Sequence, residues 1–197
     1  MSPVFPARRI AGVVFDIDGT LLDNMPFHLE AFEAFTAAHG LPPLTLEMRQ
    51  WMDGRRNSDI FPRLFERALT PAEIADLSLQ KESAYRRISK GRLRPLGGLT
   101  RLLDALDSAR VPVALATSAP HDNVVHTLHE LGFSARLPVI ARSDEVPHGK
   151  PEPDVFLEAA RKLGVAATDC VAFEDAPMGV VAAGRKRGAH RASALRP

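Results

Sequence analysis

The sequence has little of what marks a disulfide-stabilised, membrane-embedded or nucleic-acid-binding protein. It contains one cysteine among 197 residues, so no internal disulfide can form, which suits a reducing compartment. With 25 Lys and Arg against 24 Asp and Glu, the formal net charge is +1, and bulk charge favours neither a nucleic acid nor a membrane as partner. No apolar run could span a bilayer, and no signal-peptide core follows the two arginines of residues 1–9. We therefore expect a cytoplasmic protein.

What the chain does contain is a regular alternation of short apolar runs and amphipathic segments. Its 45% hydrophobic content is enough for one sizeable core. Buried parallel strands are predicted from the apolar runs 11–15, 112–116, 137–141 and 170–173. Helices are predicted over 98–109, 123–131, 154–163 and 179–186. This order predicts an α/β fold with a doubly wound, Rossmann-like parallel sheet, whose ligands bind at the carboxyl ends of the strands.

A long insertion separates the first two predicted strands. It has far more residues than one crossover helix requires, and helical patterns cover 27–39, 57–69 and 71–88, interrupted by Pro62 and the loop 40–43. We therefore predict two domains: a Rossmann-like core of residues 1–23 and 95–197, and an all-helical cap of residues 24–94.

Two aspartates stand one residue apart where the first strand ends, in the stretch VFDIDGT of residues 14–20. Residues i and i+2 of a strand point to the same side, so Asp16 and Asp18 leave the strand as a pair. Crowded carboxylates ionise at a cost that a hard cation such as Mg²⁺ removes, and an aspartate can accept a phosphoryl group. The alternative is a plain Asp-Gly turn.

Two hydroxyl residues, Thr117 and Ser118, follow the second strand just before a helix. Hydroxyls and free backbone amides at a helix start favour an anion site, although an ordinary helix cap has the same pattern.

Charged residues follow the two later strands. Lys150, in the run HGKPEPD of residues 148–154, is carried on a turn stiffened by two prolines, but it could equally be a solvated surface charge. Glu174 and Asp175 end the fourth strand, and they could form a cation site or simply an acidic helix N-terminus.

These four segments occur in the order of the four motifs of the haloacid dehalogenase superfamily of phosphotransferases, which this chain resembles up to Gly184. The resemblance implies that Asp16 is the nucleophile and that Asp18 exchanges protons with the leaving group and the incoming water. It implies that Thr117, with the Ser118 amide beside it, holds the phosphoryl group, and that Lys150 offsets negative charge.

The same resemblance implies a Mg²⁺ site made of Asp16, the backbone carbonyl of Asp18, Glu174 and Asp175. The dehalogenase branch of the superfamily lacks an acid at the position of Asp18. Dehalogenation is therefore disfavoured, and phosphoryl transfer through an aspartyl phosphate is expected.

The insertion resembles the helical lid that the superfamily calls a C1 cap, in particular that of the beta-phosphoglucomutase-like branch. By this resemblance His28 and Lys81 face the substrate, although each could instead be packed or exposed on its helix. Residues 52–58 resemble the substrate-specificity loop, in which Gly54 permits close backbone approach. Arg55, Arg56 and Asn57 are candidate substrate-binding residues, and Asn57 stands where the mutase has a phosphate-gripping arginine.

The function implied is a Mg²⁺-dependent phosphatase of a small phosphorylated metabolite, and sugar phosphates are the expected substrates. The alternatives are a beta-phosphoglucomutase-type mutase and, from another class, a non-catalytic regulatory relative. We expect a monomer or weak oligomer with no nucleic-acid or membrane partner.

The basic segment 184–197 shows no legible strand, and we expect it to be disordered.

Overall fold

The computed structural model describes residues 10–185 and 192–193, which form one parallel sheet flanked by helices. Its strands are β1 (Gly12–Phe15), β2 (Val113–Thr117), β3 (Ile140–Arg142), β4 (Cys170–Phe173) and β5 (Ala192–Ser193), in the order β3-β2-β1-β4-β5. The chain moves outward from β1 to β3 and then returns to β4 on the other side of β1. The carboxyl ends of β1 and β4 therefore flank the switch point where such sheets bind ligands.

Helices cover both faces of the sheet because the side chains of each strand alternate. On one face Val13 and Phe15 pack against α5 (Leu99–Ser108) and α6 (His121–Leu131). On the other face Val14 packs against α7 (Asp154–Leu163) and α8 (Pro177–Gly184). The predicted doubly wound α/β fold is confirmed.

Four helices lie between β1 and β2 and share a core of their own. They are α1 (Met25–Ala38), α2 (Leu46–Met52), α3 (Asn57–Leu64) and α4 (Pro71–Ser89). Phe32 and Phe35 of α1, Phe61 of α3 and Leu77 of α4 are buried together. We call these helices and their loops the cap; its boundaries at residues 24 and 94 remain a prediction.

The cap differs from the sequence prediction in two places. Helix α2 was missed: Thr45 caps it by accepting a hydrogen bond from the Met48 amide at 3.1 Å. The helix predicted over 57–69 is α3, and Pro62 lies inside it rather than interrupting it. This helix ends at Leu64 rather than residue 69, and Glu66 then turns the chain with a positive φ of 51°.

The sheet differs in two places as well. The third strand begins at Ile140, not residue 137, because Leu137 belongs to the turn that follows α6, where its amide donates to the Phe133 carbonyl. The prediction of no strand after Gly184 is wrong: Ala192–Ser193 pairs with β4, although two residues give no apolar run to recognise. Residues 1–9, 186–191 and 194–197 lie outside the described residues, and so do the predictions made for them.

No helix within residues 10–185 is both long and apolar enough to cross a membrane.

Helix α4 begins with a reciprocal cap that supplies a stability test. The Thr70 hydroxyl accepts a hydrogen bond from the Glu73 amide at 3.3 Å, and the Thr70 amide donates to the Glu73 carboxylate at 2.7 Å. We predict that Thr70→Ala lowers the free energy of unfolding by about 1 kcal/mol, measured by urea denaturation, because one helix amide loses its acceptor. The control Thr70→Ser keeps the hydroxyl and should match the wild type; equal loss in both variants would contradict the role of the cap.

Candidate active site

A cavity of about 520 Å³ lies between the carboxyl ends of the strands and the cap. The loops after β1 and β4 line its floor with carboxylates, and residues of all four cap helices, α1 to α4, line its roof. The position is the one expected for a doubly wound sheet.

A buried lysine joins two of the strand-end carboxylates on the cavity floor. Lys150 Nζ donates to Asp16 Oδ1 at 2.5 Å and to Glu174 Oε2 at 2.6 Å. All three side chains are nearly inaccessible. Burial and the Glu174 charge raise the pKa of Asp16 well above its usual value despite Lys150. Burial alone would lower the pKa of Lys150, but the two carboxylates outweigh it and raise the pKa, so the lysine stays charged.

A third carboxylate, Asp175, completes a possible cation site. Within the described part of the chain, Asp16, Glu174 and Asp175 each offer an oxygen within 4.8 Å of the others. Burial and the neighbouring Glu174 raise the pKa of Asp175. When ionised, the three carboxylates carry three negative charges against the one positive charge of Lys150. The excess of two negative charges and the all-oxygen donor set fit a divalent hard cation such as Mg²⁺.

Two glycines make room for these carboxylates. A Cβ added to Gly19, whose φ is +83°, would overlap the Asp175 carboxylate. A Cβ added to Gly179, in the first turn of α8, would overlap the Glu174 carboxylate. Neither carboxylate could keep its place beside a larger residue, so the site requires both glycines.

Asp18 faces the cap rather than the three-carboxylate group. Its Oδ1 accepts a hydrogen bond from Asn24 Nδ2 at 2.6 Å, and His28 Nε2 lies 3.6 Å from the same oxygen. Burial opposes ionisation of Asp18, but His28, Asn24 and Lys81 outweigh it and hold its pKa below the usual value.

The two hydroxyls at the carboxyl end of β2 have different surroundings. The buried Thr117 hydroxyl accepts a hydrogen bond from the Ala119 amide at 3.0 Å, and Thr117 is not among the residues that line the cavity. Ser118 does line it, and its hydroxyl donates to the Gly54 carbonyl of the cap at 2.9 Å. The phosphoryl-holding role predicted for Thr117 stays a prediction.

His28 and Lys81 both line the cavity and contact each other. Lys81 Nζ lies 3.0 Å from His28 Nδ1. Because an ammonium can only donate, His28 Nδ1 is the acceptor in this contact, while Nε2 faces Asp18. The His28 ring stacks on Tyr85 at 3.8 Å, which fixes its plane. The cap thus holds an imidazole between Lys81 and Asp18.

Some residues of the predicted specificity loop line the cavity, and one packs against the turn before Lys150 instead. Gly54, Arg55 and Asn57 line the cavity. Gly54 has a positive φ of 74°, and a Cβ there would approach that of Ala176 to 3.2 Å, so the loop packs closely on the residues after β4. Arg56 does not line the cavity; its side chain packs on Gly149, beside Lys150, and donates weakly to the Val146 carbonyl at 3.4 Å. The substrate-binding role predicted for Arg56 stays a prediction.

Sequence reasoning missed Glu82, Asn24 and Asn123, which are buried polar residues at the cavity or its edge. A signal for Glu82 was present: Leu77, Lys81 and Tyr85 recur every four residues on the inner face of α4, which places a lysine in the interior. A buried cation needs an acidic partner, and Glu82 is its neighbour.

The haloacid dehalogenase-like hydrolase family matches residues 10–186. The chain therefore belongs to this family of hydrolases.

Two curated relatives come from Escherichia coli (strain K12). Fructose-1-phosphate phosphatase YqaB is 32% identical over 178 residues, covering 89% of this chain and 92% of the relative. Hexitol phosphatase A is 33% identical over 182 residues, covering 92% and 82%. Among solved structures, CbbY from Rhodobacter sphaeroides in complex with phosphate superposes with a TM-score of 0.77 at 28% identity, covering 89% of this chain and 82% of that one.

The glycine beside Glu174 gives a direct test of the packing around the carboxylates. We predict that Gly179→Ala destabilises the protein by about 1–3 kcal/mol, measured by urea denaturation, because the new methyl group displaces the Glu174 carboxylate from Lys150. Alanine favours a helix more than glycine does, so helix propensity alone would predict a more stable protein.

Gly184 is the matched control, because it lies at the end of the same helix and an added Cβ there meets nothing within 4 Å. Gly184→Ala should be neutral or stabilising. Equal stability of the two variants would show that Glu174 does not need the space over Gly179.

Proposed function

We propose that the protein is a Mg²⁺-dependent phosphatase of a small phosphorylated metabolite, acting through an aspartyl phosphate at Asp16. The observation that carries the proposal is the floor of the cavity. There a buried carboxylate shares one lysine with Glu174 and lies beside Asp175. Carboxylates crowded in this way favour a bound cation and, next to it, the transferring phosphoryl group.

Asp16, Glu174 and Asp175 would hold the Mg²⁺, with the backbone carbonyl of Asp18 as the further ligand that the family resemblance implies. The bound ion would neutralise negative charge on the phosphoryl oxygens and on Asp16. Lys150 has the same effect from the protein side, since its ammonium is fixed against the nucleophile and remains charged.

In the first step an Asp16 carboxylate oxygen attacks phosphorus, the bond from phosphorus to the ester oxygen breaks, and the leaving oxygen takes a proton from Asp18. In the second step Asp18 removes a proton from water, which attacks the aspartyl phosphate and releases inorganic phosphate. The contacts of Asp18 with Asn24 and His28 favour its carboxylate form, which suits the second step.

The cap supports hydrolysis better than the mutase alternative. A mutase must grip a second phosphate, but the two arginines that line the cavity are engaged within the protein. Arg49 pairs with Glu33 at 2.9 Å, and Arg55 donates to the Trp51 carbonyl at 2.8 Å while lying over the Trp51 ring. The cap also lines the cavity with apolar side chains, namely Leu29, Phe32, Leu44, Met52 and Ile60.

The names of the two Escherichia coli relatives agree in substrate class. One acts on fructose 1-phosphate and another on hexitol phosphates, both of them small polyhydroxy phosphomonoesters. We propose a substrate of this class. A cytoplasmic location and a monomeric or weakly associated state remain predictions from the sequence.

Replacing the nucleophile is the first functional test. We predict that Asp16→Asn lowers phosphate release from sugar and sugar-alcohol phosphates by about a thousandfold or more, because an amide oxygen cannot form the phosphoenzyme. Release is measured by a phosphate assay with Mg²⁺ over a panel of monophosphates. Asp169→Asn is the control and should retain full activity. Asp169 is exposed and precedes the amino end of β4, whereas the cavity lies at the carboxyl end.

The product formed distinguishes a phosphatase from a mutase. With beta-glucose 1-phosphate and a bisphosphate primer, phosphate release should exceed formation of glucose 6-phosphate. Faster formation of glucose 6-phosphate would overturn the choice of a phosphatase, and no turnover of any monophosphate would leave only a non-catalytic relative.

The cation site is tested by thermal unfolding. We predict that Mg²⁺ raises the melting temperature of the wild type in a concentration-dependent way, since a ligand of the folded state stabilises it. Asp175→Asn should raise the metal-free melting temperature, because it removes a charge beside Glu174, and should shrink the Mg²⁺-induced rise. A full Mg²⁺ response in Asp175→Asn would contradict this ligand set.

A further inference from the structure

The roof of the cavity contains a buried ion pair that the proposed reaction does not use. Lys81 and Glu82 are adjacent on α4, both are buried, and both line the cavity. Lys81 Nζ donates to the two Glu82 oxygens at 3.0 and 3.2 Å. With His28 as its other partner at 3.0 Å, every donor of the ammonium has an acceptor within the protein.

Glu82 is held in place by residues of α3 and α6 as well as by Lys81 of its own helix. Asn57 at the start of α3 donates to its Oε1 at 2.8 Å, and Asn123 of α6 donates to its Oε2 at 2.6 Å. Asn123 in turn accepts from Arg86 at 2.8 Å. Burial opposes ionisation of Glu82, but Lys81, His28 and Asn57 outweigh it and lower its pKa, so the carboxylate is charged at neutral pH.

The charges that line the cavity outside the floor are balanced. Outside Asp16, Asp18, Lys150, Glu174 and Asp175, the lining contains the cations Arg49, Arg55 and Lys81 and the carboxylates Asp23, Asp53 and Glu82. Arg49 and Arg55 have protein partners, and Glu82 cancels the charge of Lys81. Arg55 has only neutral partners, but the three cations are matched in number by three carboxylates. Within the described residues, the lining outside the floor therefore has no net positive charge, and Lys81 is a cation that its own neighbour neutralises.

We propose that Glu82 is a specificity-determining residue that excludes substrates with a second anionic group. By neutralising Lys81 it makes the roof favour a leaving group that carries only hydroxyls over one that ends in a carboxylate or phosphate. The proposal rests on the proposed function and narrows its substrate class to phosphomonoesters of neutral polyols. Specificity here is the difference between the affinities for two substrates. It depends on the repulsion of an anionic group by Glu82 as much as on the attraction of that group by Lys81.

A matched pair of substrates isolates the effect of charge. Sorbitol 6-phosphate and 6-phosphogluconate have the same carbon chain, the same phosphate position and the same arrangement of internal hydroxyls. They differ at the far end, where one has a hydroxymethyl group and the other a carboxylate. The measured quantity is the ratio of kcat/KM for sorbitol 6-phosphate to that for 6-phosphogluconate, at constant ionic strength and with Mg²⁺. We expect the wild-type ratio to be about ten or more.

Glu82→Gln should lower this ratio by about tenfold or more, chiefly through a lower KM for 6-phosphogluconate, because Lys81 becomes an unpaired cation facing the cavity. A merely structural role would reduce both rates in proportion and leave the ratio unchanged. Glu158→Gln, which removes a surface partner of Arg161 on α7, is the matched control and should not change either rate.

A second variant keeps the proposal testable if Glu82→Gln does not fold. Lys81→Met leaves the Glu82 carboxylate without its cation, so the ratio should rise rather than fall. A ratio that stays at the wild-type value in every folded variant would overturn the proposal, as would a wild type that prefers 6-phosphogluconate. Absence of turnover by the wild type over the whole monophosphate panel would instead remove the proposed function itself, and this inference with it.

Discussion

The structure depends on one buried interaction, in which Lys150 is held between Asp16 and Glu174 at the carboxyl end of the sheet. Burying charges is costly unless each is paired, and here one cation serves two carboxylates with a third, Asp175, beside them. The surplus negative charge makes the site unfavourable on its own and receptive to a cation. Strand geometry enforces this crowding, because β1 and β4 are neighbours in the sheet and both end in acids.

Several polar contacts join the cap to the core around this floor. Ser118 bonds the Gly54 carbonyl, Asn123 bonds Glu82, and Arg56 packs on the Gly149 turn that carries Lys150. Such contacts can be exchanged for water at small net cost, unlike buried apolar area. This arrangement would suit the lid role that the family resemblance implies for the cap, in which a polar substrate enters and bulk water is then excluded from the phosphoryl group.

Local signals in the sequence predicted the fold and the floor of the site well. The side chains of Val13, Val14 and Phe15 alternate between the two faces of the sheet, which is a short-range pattern. Acids that directly follow a strand must lie at the carboxyl end of the sheet. The roof could not be predicted in the same way, since Glu82 meets Asn57 and Asn123 only after three helices pack. The direction of the Arg56 side chain, away from the cavity, likewise depends on the space left over Gly149.

The most direct test of the account is to trap the phosphorylated side chain. The protein is mixed with Mg²⁺ and sorbitol 6-phosphate, quenched in acid during turnover and treated with borohydride, which reduces an acyl phosphate to an alcohol. Tandem mass spectrometry then locates the reduced residue. The account predicts homoserine at position 16 and an intact aspartate at position 18. Reduction at another carboxylate, or none at all while phosphate is being released, would contradict it.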